Sequence, residues 1–210
     1  MLVAVLVAVG LPAAIVRTQH HRAGTAPARE PGRVSAAERA GTFHFAPDVA
    51  PYDRQAILTA VGHARPAARR LVDVVDGIVD LRVQATGPKS VGTTQRVGDR
   101  FQVTLNLGAA ARAGGQRAID RLVLHELGHV VRFALVTPAL RDRLVAQVPR
   151  GYGCDDGVTG ACAAPEEIFA ESFAKWATGD IGVNLNLGYA VLPPSDLEGW
   201  GAPLAALATQ

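Results

Sequence analysis

Leu122-Val123-Leu124-His125-Glu126-Leu127-Gly128-His129-Val130-Val131 is the stretch on which the reading of this 210-residue chain turns. Two histidines four residues apart bracket a glutamate as H-E-x-x-H, in a segment whose pattern predicts a helix from about Arg117 to Val136. Gly114-Gly115 breaks the chain before it and Pro138 closes it. Positions i and i+4 share a helix face, so both imidazoles reach one metal ion. The adjacent Glu126 is offset enough to reach a water on that ion without ligating it. Leu122, Val123, Leu124, Leu127, Val130, Val131 and Phe133 wrap nearly the whole circumference, which predicts a buried helix. Two histidines and a glutamate in an apolar layer cost on the order of several kcal/mol unless something satisfies them. A metal ion with its water does so. A core cluster of His and Glu hydrogen-bonded among themselves is the bland alternative.

The chemistry needs these residue types at this spacing. Zinc lowers the pKa of a bound water toward about 7, and a neighbouring carboxylate takes the proton as the water attacks a carbonyl. A catalytic zinc site requires a third protein ligand and leaves one position open. The segment Pro165-Glu166-Glu167-Ile168-Phe169-Ala170-Glu171-Ser172-Phe173 offers it, on a helix that Pro165 starts and Gly179 stops. There Glu167 and Glu171 share a face with Ala174, opposite Phe169, Phe173 and Trp176. Glu167 ranks first as ligand, Glu171 second and Glu166 third, since Glu166 is explained as an acidic residue complementing the helix dipole. Glu171, one turn on from Glu167, is placed to accept the ring N–H of a ligand histidine.

These two motifs together resemble the gluzincin metallopeptidases, most nearly the catalytic domain of anthrax lethal factor and its relatives. That group pairs H-E-x-G-H with a later E-x-F-A-E-x-F helix. The resemblance implies a zincin-like fold, zinc-dependent hydrolysis of peptide bonds, Glu167 as third ligand and Glu171 as partner of a ligand histidine. It also implies a tyrosine, in a Tyr-Gly pair before the ligand helix, that assists the oxyanion. Tyr152-Gly153 is the similar pair, although Cys154 to Cys162 lengthen the spacing; Tyr189 is the alternative. Strong resemblance covers roughly residues 117–177.

The remaining pattern predicts an α+β fold, a single domain with a small mixed or antiparallel sheet packed on the motif helix. Thr42 to Phe45 reads as a short strand, and Asp53 to Val75 as a helix that Pro66 kinks or breaks. Leu81 to Thr86 and Phe101 to Leu107 alternate with period two, and Val91 to Val97 forms a further strand turning at Gly98-Asp99. By its order before the motif helix, the strand Phe101 to Leu107 is expected to be the edge that pairs with an extended peptide. Ala139 to Val148 reads as an amphipathic helix, and Ser195 as the cap of a last one. His44 and His63 stand alone, and His20-His21 lie in a linker, so none is expected to ligate.

Composition places the chain. A formal charge of +2, with basic residues spread along the chain without a run or an aromatic-interleaved stripe, excludes a nucleic-acid footprint, and 49% hydrophobic content supports a real core. Residues 1–16 carry no charge and read as a signal peptide or membrane anchor; as a helix they span about 24 Å, short of a bilayer core of roughly 30 Å. Residues 17–41 have the composition of a flexible linker, and 42–210 form the expected domain. Cys154 and Cys162 are the only cysteines and flank a Gly-rich stretch, a disulfide-closed loop that persists only in an oxidising compartment. The expectation is therefore an extracytoplasmic monomer, secreted or anchored, holding one Zn2+ and acting on a peptide or protein. Its rival is a catalytically inactive zincin-like binding or regulatory domain, against which the intact Glu126 speaks.

Overall fold

Proline and glycine set most of the element boundaries in the computed structural model, which describes residues 43–85, 91–149, 163–182 and 191–209. Helix α1 (Pro51–His63) and helix α2 (Pro66–Val75) each carry a proline at the start, where the missing N–H has no partner to lose. The span Asp53 to Val75 is thus two helices, broken before Pro66. Their apolar stripes, Ala56, Ile57, Ala60 and Val61 on one and Ala68, Leu71, Val72 and Val75 on the other, are buried in a common core.

Among the described residues the sheet has four strands, β1 (His44–Phe45), β2 (Val79–Val83), β3 (Gly92–Val97) and β4 (Arg100–Leu105), in the order β1-β2-β4-β3. β1 and β4 both run parallel to β2, while β3 runs antiparallel to β4, so the sheet is mixed. Phe101, Val103 and Leu105 point into the core opposite Val79 and Leu81, as their alternation demands. Two expectations are corrected here. The strand expected over Leu81 to Thr86 lies at 79–83, and the one expected to be the edge is interior, with β3 at the edge. The reason is the two-residue turn at Gly98-Asp99, Gly98 at φ 65°, which folds β3 back along the outer side of β4.

Leu107 does not end that strand either. It begins helix α3 (Leu107–Leu135), capped by Asn106, whose side chain accepts the Ala109 N–H at 3.0 Å. The helix is interrupted at Gly114-Gly115, Gly115 at φ 61°, so it consists of a short piece and a long piece that carries the motif. Helix α4 (Pro138–Val145), helix α5 (Pro165–Thr178) and helix α6 (Leu197–Leu207) follow. Gly179, at φ 71°, terminates α5 with its N–H on the Lys175 carbonyl. Asp196, and not Ser195, caps α6 by accepting the Gly199 N–H at 2.8 Å. The architecture is α+β. No helix among the described residues is long and apolar enough to cross a membrane. The segments 1–16 and 17–41, and with them His20 and His21, lie outside the described residues.

Candidate metal centre

The long piece of α3 is buried because Leu122, Val123, Leu124, Leu127, Val130 and Val131 face core on nearly every side. Phe133 is the exception, 57% exposed and stacked on Phe101 with ring centroids 6.1 Å apart. It was expected inside; the last turn of α3 projects beyond the layer that covers the rest. α5 packs directly across the motif. A Cβ placed on Gly128 would stand 3.1 Å from Phe173 Cδ1 and 3.2 Å from Ala170 Cα, so the glycine inside H-E-L-G-H sets how closely the two helices approach. Phe169, Phe173 and Trp176 fill the core on one side of α5, with Trp200 of α6 against Phe169. The carboxylates Glu167 and Glu171 are left facing α3.

His125, His129 and Glu167 converge there, each offering one donor atom, all within 4.8 Å of one another. His125 Nε2 lies 3.1 Å from Glu167 Oε2, and His129 Nε2 lies 3.5 Å from Glu167 Oε1. Ligands about 2.0–2.2 Å from a tetrahedral centre stand about 3.3–3.6 Å apart; the 3.5 Å spacing falls in that range and the 3.1 Å spacing just below it, so a small adjustment of the Glu167 side chain would suit a zinc ion. The donor set, two imidazoles and a carboxylate, is also one that zinc takes. Glu166 does not join it; half-buried in the first turn of α5, it acts electrostatically on Arg132.

Behind these three donors stands a buried polar network. His125 Nδ1 donates to Glu171 Oε2 at 3.0 Å, which leaves Nε2 turned toward Glu167 and His129. Glu171 in turn pairs with Arg121 and lies 3.5 Å from Lys175 Nζ. These two cations are 2% and 1% exposed, so their charges are compensated within the fold or not at all. Arg121 also donates to the carbonyls of Asp180 and Gly182, and Lys175 to that of Val191.

The titration behaviour of these side chains points to a place for positive charge. Burial pushes His125 toward the neutral form, but hydrogen bonds to Glu167 and Glu171 and the nearby Glu126 charge overcome it and raise its pKa to about 10. Burial likewise opposes ionisation of Glu167 and Glu171. Hydrogen bonds to His125 and His129 nonetheless hold Glu167 far below the usual range, and His125, Arg121 and Lys175 hold Glu171 down to about 2. The pairing keeps Glu167 and Glu171 ionised in a buried layer, where a carboxylate needs a cationic partner.

Glu126 occupies a different wall. It is buried, and Thr94 Oγ1 of the edge strand β3 lies 2.7 Å from its Oε2 and 3.1 Å from its backbone oxygen. A Cβ on Gly92 would stand 2.3 Å from Glu126 Oε1, so this carboxylate occupies space that only a glycine leaves. Sequence reasoning missed Thr94 and Gly92, because nothing in a strand pattern says which helix residue lies over it. It also passed over Arg121 and Lys175, although each stands four residues from a site residue, Arg121 before His125 and Lys175 after Glu171. Tyr152, Tyr189, Cys154 and Cys162 lie outside the described residues. His44 and His63 are away from the centre, His63 paired with Asp120 at 2.9 Å.

Comparison with known proteins adds little to this geometry. No family model matches the chain, and no curated protein matches it. The chain is similar to a solved structure from Bacteroides caccae, a provisionally assigned zinc-binding metallo-peptidase, with 14% identity, a TM-score of 0.37, and coverage of 83% of this chain and 74% of that one. A likeness of that degree decides neither fold nor activity. None of these comparisons supports a specific tie to the lethal factor family.

Proposed function

We propose that this chain is a zinc-dependent peptidase of the gluzincin kind, with a zincin-like domain that hydrolyses peptide bonds. The observation that carries the reading is the convergence of His125, His129 and Glu167 between α3 and α5, at spacings close to those that suit one zinc ion, with Glu126 buried beside His125 on the same helix. A zinc ion held by those three residues would supply Lewis acidity, lowering the pKa of water and polarising a peptide carbonyl.

The protein's own groups do the rest. His125 and His129 would hold the ion with the Nε2 atoms that face Glu167, and Glu171 fixes the His125 ring by accepting a hydrogen bond from its Nδ1–H. Arg121 and Lys175 keep Glu171 ionised so that it can only accept. Glu126 accepts a proton from the attacking water and returns it to the leaving amine. Tyr152, on the strength of its Tyr-Gly pair, donates a hydrogen bond to the tetrahedral oxyanion. The apolar residues 1–16 and the pair Cys154 and Cys162 support an extracytoplasmic place of action on a peptide or protein substrate.

Hydrolysis of a peptide library by the purified zinc-loaded chain, beside Glu126→Gln, tests the reading. The wild type is expected to cleave, and the variant to bind zinc equally while its kcat falls by about 100-fold or more. If both bind zinc and both are inert, the chain is the binding or regulatory module that keeps the site without the activity.

A further inference from the structure

Thr94 reaches Glu126 from β3, an element that carries none of the metal-binding side chains. Its hydroxyl has a single proton and two acceptors within reach, Glu126 Oε2 at 2.7 Å and the Glu126 backbone oxygen at 3.1 Å. The shorter contact is the charge-assisted one. Beside it, Gly92 on the same strand leaves the space that the other carboxylate oxygen fills, since any Cβ there would overlap Oε1. Two positions of one strand, two residues apart and therefore on one face, together shape a cradle for one carboxylate.

We infer that Thr94 is a positioning residue for Glu126, holding its carboxylate in one orientation through both halves of the reaction. The inference rests on the proposed peptidase function. A hydroxyl suits the task because it can turn. While Glu126 is a carboxylate, the Thr94 proton points to Oε2. When Glu126 carries the proton taken from water, Oε2–H can donate to Thr94 Oγ1 while the Thr94 proton swings to the Glu126 backbone oxygen. The Thr94 proton never leaves its oxygen, and the proton in transit passes from water to Glu126 to the amine. A methyl at the same place could do neither. It would leave a buried carboxylate oxygen without its donor and free the side chain to adopt other rotamers.

Thr94→Val and Thr94→Ser of the full zinc-loaded chain test this. Valine keeps the β-branched shape that a strand accepts, and serine keeps the hydroxyl. For Thr94→Val we expect kcat to fall about 10- to 100-fold, with KM and zinc affinity each within about threefold of wild type. Thr94→Ser should restore kcat to within about threefold of wild type. A Thr94→Val protein with unchanged kcat overturns the assignment, as does one that loses zinc affinity in step with activity and is not rescued by serine, because that pattern marks a structural strand residue. Crystal structures of wild type and Thr94→Val give a readout independent of turnover: Glu126 should lie against β3 in the first and leave it in the second. If the wild type proves inert on peptides, the functional reading fails, and the position of Glu126 in the two crystals still decides for or against the role of Thr94.

Discussion

Two clusters in this protein are built from the same side-chain types and behave differently. At the exposed face of the sheet, His44 of β1, Asp80 of β2 and Arg100 of β4 meet, with Arg100 gripping both Asp80 oxygens at 2.8 Å and donating to His44 Nδ1 at 2.8 Å. Between α3 and α5, His125, Glu171 and Arg121 meet in the same combination. The His44 and Asp80 side chains are 60% and 41% exposed, so water and salt screen the first cluster, and such a pair contributes at most about 1 kcal/mol. In the second, Arg121 and Lys175 have no water to fall back on, and each charge must be met by protein or ligand. Glu126, Glu167 and Glu171 face Arg121, Lys175 and a His125 whose pKa is raised to about 10, so a metal ion bound there would take the place of the His125 proton. Burial, and not residue type, separates a cluster that water screens from one whose charges must be met inside the fold.

Removing a member of each cluster should expose the difference. The largest effect is expected from Arg121→Met, which leaves Glu171 with only His125 and Lys175 beside it; urea unfolding should show a loss of about 3 kcal/mol. A loss no greater than that of a surface pair would break the comparison. Glu171→Gln should come next, weakening zinc binding about 10- to 100-fold in competition with a chromogenic chelator, because the His125 ring loses its fixed acceptor. Asp76 sharpens the role of burial. It lies near His44 but is itself buried, its Oδ1 has no hydrogen-bond partner among the described residues, and desolvation, with a further push from Asp73, raises its pKa to about 6. A carboxyl whose folded pKa is raised costs nothing below about pH 4, an increasing amount as pH rises to about 6, and a constant amount above that. Asp76→Asn should therefore stabilise the protein by about 1–2 kcal/mol at pH 7, with the gain gone at pH 4 in thermal melts. The smallest effect belongs to Asp80→Asn. The hydrogen bond from Arg100 lowers the Asp80 pKa, so its contribution is present above the ordinary carboxylate pKa and disappears as pH falls through the lowered value. At pH 7 the substitution should cost less than about 1 kcal/mol, and less again in high salt.

What could be read from the chain follows from how local each signal is. Pro66, Pro165 and Gly179 fix helix ends by their own backbone chemistry, and those ends stand where expected. H-E-x-x-H and the Glu167/Glu171 pair are helix-face statements, and the long piece of α3 and α5 bring His125, His129 and Glu167 together with no further information needed. Strand order is different. Phe101 to Leu107 alternates as a half-buried strand whether it lies at the edge or inside, and only the hairpin through Gly98 decides. Phe133 fits the apolar circumference of α3 and yet faces solvent, because the last turn outruns its cover. Thr94 was invisible for the same reason: its importance lies in the register of β3 against a helix 32 residues later.

The central claim, that His125, His129 and Glu167 form one zinc site, is tested most directly by zinc content after equilibrium dialysis of the wild type beside His129→Ala and Glu167→Ala. The account predicts one tightly held zinc ion per wild-type chain and loss of stoichiometric zinc from both variants, with each variant still folded by circular dichroism. Wild-type chain that emerges without zinc, or variants that retain it in full, would contradict it.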